Sequence, residues 1–502
     1  MQTESPASSG RLDRAALAAW YLCPGHRVLW QLPLALGLAV GLALVIMRVD
    51  AGDPQANYAE SKKRLHELAP PPLADEHNAA LTLNKAFAAF PVYAAGATEN
   101  IESRLGHYLP EMWDDPNVAS EFAALQTSLL DLLSAAELER SHWNLDYSKG
   151  FGILLPHLAQ LRRAARILAL DALWHARAGD HKAAAKRLKA IYRLARFAET
   201  DPILINGLVA VAMDGIADQT LQQIVDRHTP GQLEDVRAYR AANFLKRQPL
   251  ERAARLLDGE SRFGMYTFDG MFSMNISPAA AGLGIPVPRA GGVWSVWYGS
   301  ERQAMENIYS FMLAKLQAGK RIEPGTVDRL LNEQSNGPTA LTRLLIPVIE
   351  RFADNYIRSA DQALAADTAL ALLEYRIEHG RDPERIEDLA PQYLERVPTD
   401  TINGMPLRCR SDPLGFVRQF PNAPEEPPLH PGLLRIYGVG ADGHDDGGYN
   451  HWSNEHIPEA AIQKLKMSGK PTLNSSIAPA DDPVFRLPPA QPEQPPAQEL
   501  RE

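Results

Sequence analysis

The chain of 502 residues is acidic and has the composition of a folded protein. Hydrophobic residues make up 45% and charged residues 22%, which excludes a disordered chain, and the length allows about three domains. The net charge of −10 argues against nucleic acid as a partner. The chain has only two cysteines, Cys23 and Cys409, so we predict no disulfide framework.

An apolar, uncharged stretch at residues 29–47 dominates the N-terminal part of the chain. As a helix it would extend about 28 Å, close to the ~30 Å of a bilayer's hydrocarbon core. A secretory signal normally has a shorter apolar core, about 7–15 residues, followed by a small-x-small cleavage site. Residues 49–52 match such a site poorly. We therefore predict an uncleaved transmembrane anchor at 29–47, preceded by a cytoplasmic segment at 1–28.

Basic residues lie on both sides of this anchor, for example Arg27 before it and Arg48 after it, so their count does not decide its orientation. The usual single-pass arrangement keeps the short N-terminal segment inside the cell and translocates the long body. We therefore expect a single-pass protein of the bacterial inner membrane with the bulk of the chain extracytoplasmic. Its partners would be the membrane and envelope or secretion proteins, and the oligomeric state stays open.

Residues 67–350 are predicted to form an α-helical domain built from helical hairpins. Its clearest part is 156–197, where apolar residues recur at spacings of three and four. Gly179 suits a left-handed helix end and Asp180 suits an N-cap, so we expect two antiparallel helices joined by a short turn. Asp201, followed by a proline, is typical of the capped start of a third helix.

The stretch at 264–300 loses the helical period and mixes methionines, aromatic residues, glycines and prolines. We expect an irregular excursion there, with helices again from Ser300 to His379. The hairpin at 166–197 has the small residues of a tetratricopeptide unit, but the chain shows no repetition around it. A generic helical domain is therefore the preferred interpretation.

Basic residues are frequent along the hairpin at 156–197. They would form either a face for anionic lipid or an acidic partner, or an ordinary solvated helix surface, and the second is the more common case. The residues are Arg162, Arg163, Arg166, Arg177, Lys182, Lys186, Arg187, Lys189, Arg193 and Arg196.

The C-terminal region combines a helix end, a turn and an acidic loop. The helix is predicted to end at Gly380, the turn contains Asp400, and the glycine-rich loop contains Asp442, Asp445 and Asp446. Closely spaced carboxylates repel one another unless a cation lies between them, and Ca²⁺ binds about six to eight oxygens. The loop is therefore a candidate calcium site, although its spacing is not that of an EF-hand.

This order of features resembles the calcium-binding head of type II secretion pseudopilins over about residues 354–450. The matching residues are Tyr375, Gly380, Pro383, Leu389, Tyr393, Leu394, Pro398, Asp400, Gly404, Pro406, Tyr437, Gly440, Asp442, Gly443 and Asp446. The resemblance implies a small α+β head, here assigned to 351–460, with Asp442 and Asp446 as ligands of one structural calcium ion. Asp445 is added from its position in the loop. The chain is also similar to large membrane-anchored proteins of planctomycete-type bacteria.

The chain departs from the pseudopilin pattern in several places. Thr401 and Ile402 stand where the family has a proline and an aromatic residue, and residues 411–431 insert a proline-rich segment. The N-terminus lacks the family's processing sequence, and the whole helical domain separates the anchor from the head. The resemblance therefore implies a domain fold and a metal ion, and not assembly into a pseudopilus.

The predicted fold class is mainly α: a single N-terminal transmembrane helix, a helical-hairpin domain and a small α+β pseudopilin-like head. A proline-rich tail at 470–502 follows, expected to be disordered beyond the short apolar element at 484–487. We expect a non-enzymatic, membrane-anchored envelope protein with a structural or interaction role and a calcium-stabilised head, in some relation to secretion.

Two alternatives stay open. His444, His451 and His456, together with Glu455, follow the acidic loop and would suit the metal site of a hydrolase. The helical hairpins would alternatively form a groove for a protein partner, as in a helical-repeat adaptor. The chain contains no Walker or dinucleotide glycine loop, no Gly-x-Ser-x-Gly elbow and no His-Glu-x-x-His motif, so no catalytic residue is proposed.

Overall fold

The computed structural model describes residues 53–91, 116–243, 249–273, 293–318, 320, 325–334, 339–401, 403–412, 417–418, 433–439, 455–456 and 484–488. The predicted anchor at 29–47 and the segment before it lie outside these ranges. Among the helices that the structure describes, none has the length and apolar composition needed to cross a bilayer.

The fold is mainly α-helical, as predicted, with a small β-sheet near the C-terminus. The helices are α1 (Pro54–His66), α2 (Ala79–Ala88), α3 (Pro116–Ala124), α4 (Gln126–Ala136), α5 (Pro156–Arg177), α6 (His181–Ala198), α7 (Leu204–Arg227), α8 (Leu233–Asn243), α9 (Pro249–Ser273), α10 (Val293–Gln317), α11 (Thr326–Gln334) and α12 (Ala340–His379). The strands are β1 (Arg408–Asp412), β2 (Val417–Arg418), β3 (Leu433–Tyr437), β4 (Glu455–His456) and β5 (Val484–Leu487).

The hairpin α5–α6 has the turn that its sequence predicts. Gly179 adopts a left-handed conformation with φ +78°, and Asp180 Oδ1 accepts a hydrogen bond from the Ala183 N–H at 3.1 Å. The predicted cap of the third helix is wrong, because α7 begins at Leu204 and the Asp201 side chain does not bond to its first turn. Asp201 instead accepts a hydrogen bond from the Tyr147 hydroxyl, since both groups are buried and each needs a partner.

The start of α7 is bonded to α9. The carboxylate of Glu260 in α9 accepts a hydrogen bond from the Leu204 N–H at 2.8 Å and so replaces the missing local cap. The backbones approach closely at this point, because a Cβ on Gly259 would lie 1.7 Å from the Pro202 carbonyl oxygen. A distant helix therefore decides where α7 begins.

Two large apolar clusters form the core. The first joins α5, α6, α7 and α8 to the second half of α12 and to the sheet, through residues such as Leu168, Leu372, Ile436 and Phe485. The second joins α9, α10 and α11 to the first half of α12, through residues such as Phe352. The boundary predicted between 350 and 351 falls inside α12, and the β-sheet shares its apolar core with the helices α5 to α8.

The excursion predicted at 264–300 is wrong at both of its ends. Helix α9 continues to Ser273 and α10 begins at Val293, so only residues 274–292 lie outside the described ranges. The aromatic residues of this stretch pack between the two helices: Phe268 stacks on Tyr298 with ring centroids 5.5 Å apart. Apolar side chains without an obvious period are accommodated here because α9 is covered on several sides, by α1, α10 and α12.

The sheet is antiparallel with strand order β1-β3-β5, and β2 pairs with β4 in a separate ribbon. In β5, Phe485 pairs with Ile436 of β3, and both residues are fully buried. The side-chain amide of Gln222 in α7 bonds both the N–H and the carbonyl of Arg486, at 2.8 and 3.0 Å. The apolar element of the tail is therefore a strand of the fold and ties the C-terminal region to the helical body.

Candidate functional site

Most of the residues predicted to bind metal lie outside the described ranges. These are the aspartates Asp442, Asp445 and Asp446 and the histidines His444 and His451. His456 and its neighbour Glu455 form β4. In the ranges given above, no three His, Cys, Asp or Glu side chains are grouped so that they could hold a metal ion. Calcium binding therefore stays a prediction.

Asp400 organises the turn at 398–407, where the structure does describe the pseudopilin-like residues. Its buried carboxylate accepts hydrogen bonds from the Asn403 N–H at 3.3 Å and from the Val439 N–H at 2.6 Å. Its own N–H donates to the Met405 carbonyl at 2.8 Å, and Gly404 turns the chain with φ +67°. Asp400 thus holds the backbone immediately before the acidic loop begins.

Asp361 of α12 lies against this turn and is also buried. Its Oδ1 accepts a hydrogen bond from the Thr401 N–H at 2.9 Å, whereas Oδ2 is buried and has no hydrogen-bond partner in the described part of the chain. Burial raises the pKa of Asp361 to about 7, the bond from Thr401 opposes this shift, and the nearby Asp400 carboxylate adds to it. The Asp361 carboxyl group therefore titrates near neutral pH.

Beside this turn is an open cavity of ≈ 1080 Å³, here called the junction cavity. It is bounded by α8, α9, α10 and α12 and by residues 394–401. Leucine and alanine side chains from three helices form its apolar wall: Leu250, Ala254, Leu313, Leu316, Ala363 and Leu364. Ligand sites typically have volumes of about 300–1,000 Å³, so the junction cavity is large enough for an organic molecule of considerable size.

One buried polar group of the cavity wall is incompletely bonded. Asn243, at the end of α8, donates from Nδ2 to the Ala363 carbonyl at 3.1 Å. Asn243 is only 5% exposed, and its buried Oδ1 accepts no hydrogen bond within the described residues. Because only the NH₂ group can bond to a carbonyl, the Ala363 contact decides which end of the amide is left over, and that end is an acceptor.

Two of the three arginines that line the cavity are bonded to the protein. Arg240 donates to Asp367 and to Glu374, each at 2.9 Å. Arg255 donates to the Glu199 carbonyl at 2.9 Å. These contacts hold the guanidinium groups in place and neutralise the first of them, so the wall keeps one shape.

Behind the cavity lies a buried network of charges. The Glu199 carboxylate accepts hydrogen bonds from Arg252, at 2.6 and 2.9 Å, and from the Tyr356 hydroxyl at 2.7 Å. Asp214 accepts from Arg196 at 2.7 Å and from Arg252 at 3.3 Å. Burial alone would raise the pKa of Glu199, but Arg196 and Arg252 outweigh it and hold that pKa below its usual value. The network joins α6, α7, α9 and α12.

The basic face predicted on the hairpin α5–α6 is largely engaged in ion pairs. Lys182 pairs with Glu234 at 2.6 Å, Lys186 with Glu137 at 3.1 Å, and Arg187 with Asp171 at 2.6 Å. Arg196 belongs to the buried network just described. These contacts favour an ordinary helix surface, and they do not support a basic groove for a partner.

Sequence reasoning did not find the junction cavity. Its wall comes from four helices and a turn that lie between residues 240 and 401, and no local pattern marks them as neighbours. Asn243 follows the buried apolar residues Val236 and Tyr239 at helical spacing, and a polar residue in that position is the signal in the sequence that points to it. Such a signal does not distinguish a binding residue from a bonded core residue.

The chain matches no protein-family profile, no curated protein and no solved structure. The class of protein therefore has to be inferred from the chemistry of the site. This site combines a large, partly apolar cavity with one arginine, Arg240, that is held by neighbouring carboxylates.

Proposed function

We propose that this is a non-enzymatic binding protein of the bacterial envelope and that the junction cavity is its binding site. The observation that carries the proposal is the junction cavity itself, an open space of ≈ 1080 Å³ with an apolar wall of leucine and alanine side chains from three helices. Contact of a ligand with these apolar side chains would remove apolar surface from water and so favour binding.

We also propose that residues 29–47 hold the protein in the inner membrane, with the bulk of the chain outside the cytoplasm. Helix α1 begins at Pro54, so the segment after Met47 spans at most about 20–25 Å. The Ser61 hydroxyl of α1 donates to Asp269 of α9 at 2.5 Å, and Asn57 donates to the Tyr298 hydroxyl at 2.9 Å. In this arrangement α1 would keep the helical body close to the membrane. Release of the protein by alkaline carbonate would contradict the anchor.

Calcium binding by Asp442, Asp445 and Asp446, and with it a pseudopilin-like head related to secretion, is part of the same proposal. The supporting contact is the bond from the Val439 N–H to Asp400, which holds the chain where the acidic loop starts. Calcium at 100 times its Kd would stabilise the folded state by about 2.7 kcal/mol. Equal melting temperatures in calcium and in chelator, for both the native chain and Asp442→Ala, would exclude a structural calcium ion.

The binding site is tested with N-phenyl-1-naphthylamine, a neutral fluorescent probe that brightens in apolar surroundings. We expect the full-length protein in detergent to bind it, and Ala254→Phe, which fills the cavity from α9, to abolish the binding. Leu250→Trp is a second filling variant on the same helix. The control is Ala314→Phe, on the exposed side of α10, which should bind the probe normally. Equal binding by all four proteins would refute the cavity as the site.

A further inference from the structure

Two large apolar side chains, Phe151 and Leu154, are exposed on one short segment, which consists of the 3₁₀ helix Tyr147–Gly152 and the two residues after it. Phe151 is 46% exposed and Leu154 is 79% exposed. In the described part of the chain, the other exposed large apolar residues are spread singly over α2, α4, α5, α7 and the turn at 398–407: Leu81, Leu130, Trp174, Ile205 and Met405. Single apolar residues are common on protein surfaces, whereas neighbouring ones indicate a contact surface. Resting on the membrane anchor proposed above, we infer that the apolar segment 147–154 contacts the bilayer and inserts Phe151 and Leu154 among the lipid headgroups.

The backbone of the apolar segment is fixed to α9, so its exposed side chains are held in place. The Tyr266 hydroxyl of α9 donates a hydrogen bond to the Ser148 carbonyl at 3.2 Å, and Gly150 turns the chain with φ +53°. Phe151 packs edge-on against Phe263 of α9, with ring centroids 6.0 Å apart. A bilayer would therefore meet a preformed apolar surface, and little conformational entropy would be lost on contact.

The apolar segment lies beside α1, the described helix that follows the proposed anchor in the chain. The Tyr58 hydroxyl of α1 is 3.1 Å from the Tyr266 hydroxyl, which in turn is bonded to Ser148. Tyr58 is about 6 Å along the helix axis from Pro54, where α1 begins. The chain between Met47 and Pro54 spans at most about 20–25 Å. An anchor that ends at Met47 therefore keeps the apolar segment within reach of the bilayer surface.

The charges around the apolar segment do not oppose contact with an anionic bilayer. Residues 53–67 and 146–154 contain as many basic as acidic side chains, namely Lys62, Lys63, Arg64 and Lys149 against Asp53, Glu60, Glu67 and Asp146. From α9, Arg262 and Asp258 add one charge of each sign and pair with each other at 3.0 Å. The chain as a whole has a net charge of −10, so most of its surface would be repelled by anionic lipids, but this region would not.

Contact with lipid is tested by fluorescence of the full-length protein in phosphatidylglycerol nanodiscs. The environment-sensitive fluorophore NBD is attached to Gly152→Cys, which keeps both apolar side chains, after Cys23→Ser and Cys409→Ser have removed the native thiols. We expect lipid that carries a doxyl quencher near its headgroup to lower the emission about twofold relative to lipid without the quencher. The control label at Leu130→Cys, on α4, is exposed and should keep its emission. Equal losses at the two positions, or no loss at Gly152→Cys, would overturn the inference.

The part played by the two apolar side chains is tested in the protein labelled at Gly152→Cys. Phe151→Ser/Leu154→Ser should abolish most of the quenching, because small polar side chains gain little from the bilayer interface. The matched control, Leu81→Ser/Leu130→Ser, removes two exposed apolar residues from α2 and α4 and should leave the quenching unchanged. If both double variants are quenched as strongly as the parent protein, the contact does not depend on Phe151 and Leu154 and the inference is wrong.

The other occupants of this surface, and the anchor itself, give different results. If lipid does not quench the label at Gly152→Cys but its emission rises with protein concentration in detergent, the segment joins copies of the chain and the inference fails. If alkaline carbonate releases the protein from membranes, the anchor fails and the inference fails with it. If carbonate leaves the protein in the membrane and the label is not quenched, the anchor is retained and the contact of the apolar segment alone is refuted.

Discussion

Two buried carboxylates of this chain, in two regions of the molecule, have opposite surroundings. Glu199 in the helical core accepts hydrogen bonds from Arg252 and from Tyr356, and a second arginine lies close by. Asp361, beneath the turn at 398–407, accepts one backbone hydrogen bond and has another carboxylate, Asp400, as its neighbour.

The comparison shows that burial alone does not decide how a carboxylate affects stability. In the helical core the guanidinium groups favour the ionised form, so the pKa of Glu199 is lowered despite its burial. Among the described residues Asp361 forms no ion pair, so burial raises its pKa to about 7. The contribution of Glu199 to stability should therefore depend on its arginine partners, whereas the contribution of Asp361 should depend on pH.

The largest expected loss of stability follows the removal of one arginine from the buried network. Arg252→Met leaves Glu199 and Asp214 buried with less compensating charge, and such a loss typically costs about 3–5 kcal/mol. Urea denaturation measures it. The matched control is Arg262→Met, on the same helix, because Arg262 forms more exposed ion pairs with Glu67 and Asp258 and should cost at most about 1 kcal/mol. Equal losses for the two variants would contradict the comparison.

The second largest expected effect is a dependence of the unfolding free energy on pH, which Asp361 causes. The pKa of Asp361 is about 7 in the folded state, against about 3.9 in an unfolded chain. Between these values unfolding releases a proton, so the unfolding free energy falls as the pH rises, by up to about 1.4 kcal/mol per pH unit. Asp361→Asn keeps an acceptor for the Thr401 N–H and removes this loss. It should match the native protein near pH 4 and be more stable by a few kcal/mol at pH 8.

Urea denaturation at pH 4, 6 and 8 checks this prediction. Asp388→Asn is the control, because Asp388 also accepts one backbone hydrogen bond, from the Arg385 N–H, but its side chain is exposed. The control should keep the native dependence on pH. An Asp361→Asn protein that is less stable than the native protein at pH 8 would show that the ionised carboxylate is stabilised by its surroundings.

The smallest expected change in stability concerns Asp180, a carboxylate that lies outside both regions. Asp180 is exposed and caps α6 through its bond to the Ala183 N–H. Asp180→Ala should destabilise the protein by about 1 kcal/mol, whereas Asp180→Asn, which caps equally well, should change stability very little. Thermal denaturation distinguishes the two variants, and a loss in Asp180→Asn as large as that in Asp180→Ala would mean that charge and not capping is the cause.

Local chemistry was predictable from the sequence where neighbouring residues decide the structure. The hairpin α5–α6, the left-handed Gly179 and the cap at Asp180 each depend on a few consecutive residues, and all three are confirmed. The left-handed end of α12 at Gly380 belongs to the same group. A helix terminus has unsatisfied backbone groups wherever it lies, so its caps are recognisable in isolation.

Predictions that depended on distant contacts were less successful. Asp201 has the sequence of a cap, but Glu260 bonds to the start of α7 and Tyr147 bonds to Asp201. The stretch from 264 has an irregular composition, yet its first ten residues continue α9 because other helices cover them. In each case a tertiary contact supplied the partner that the local sequence does not contain.

By itself the sequence determined that this protein is mainly α-helical, where its clearest hairpin turns, and that an acidic glycine-rich loop follows the turn at Asp400. Only the tertiary structure decided that β5 belongs to the sheet, that Asp361 lies beside Asp400, and that Asn243 lines a cavity with residues of α9, α10 and α12. The physical reason is the range of the interactions. Helix periods and caps act over a few residues, whereas burial, ion pairing and cavity shape depend on residues that are far apart in the chain.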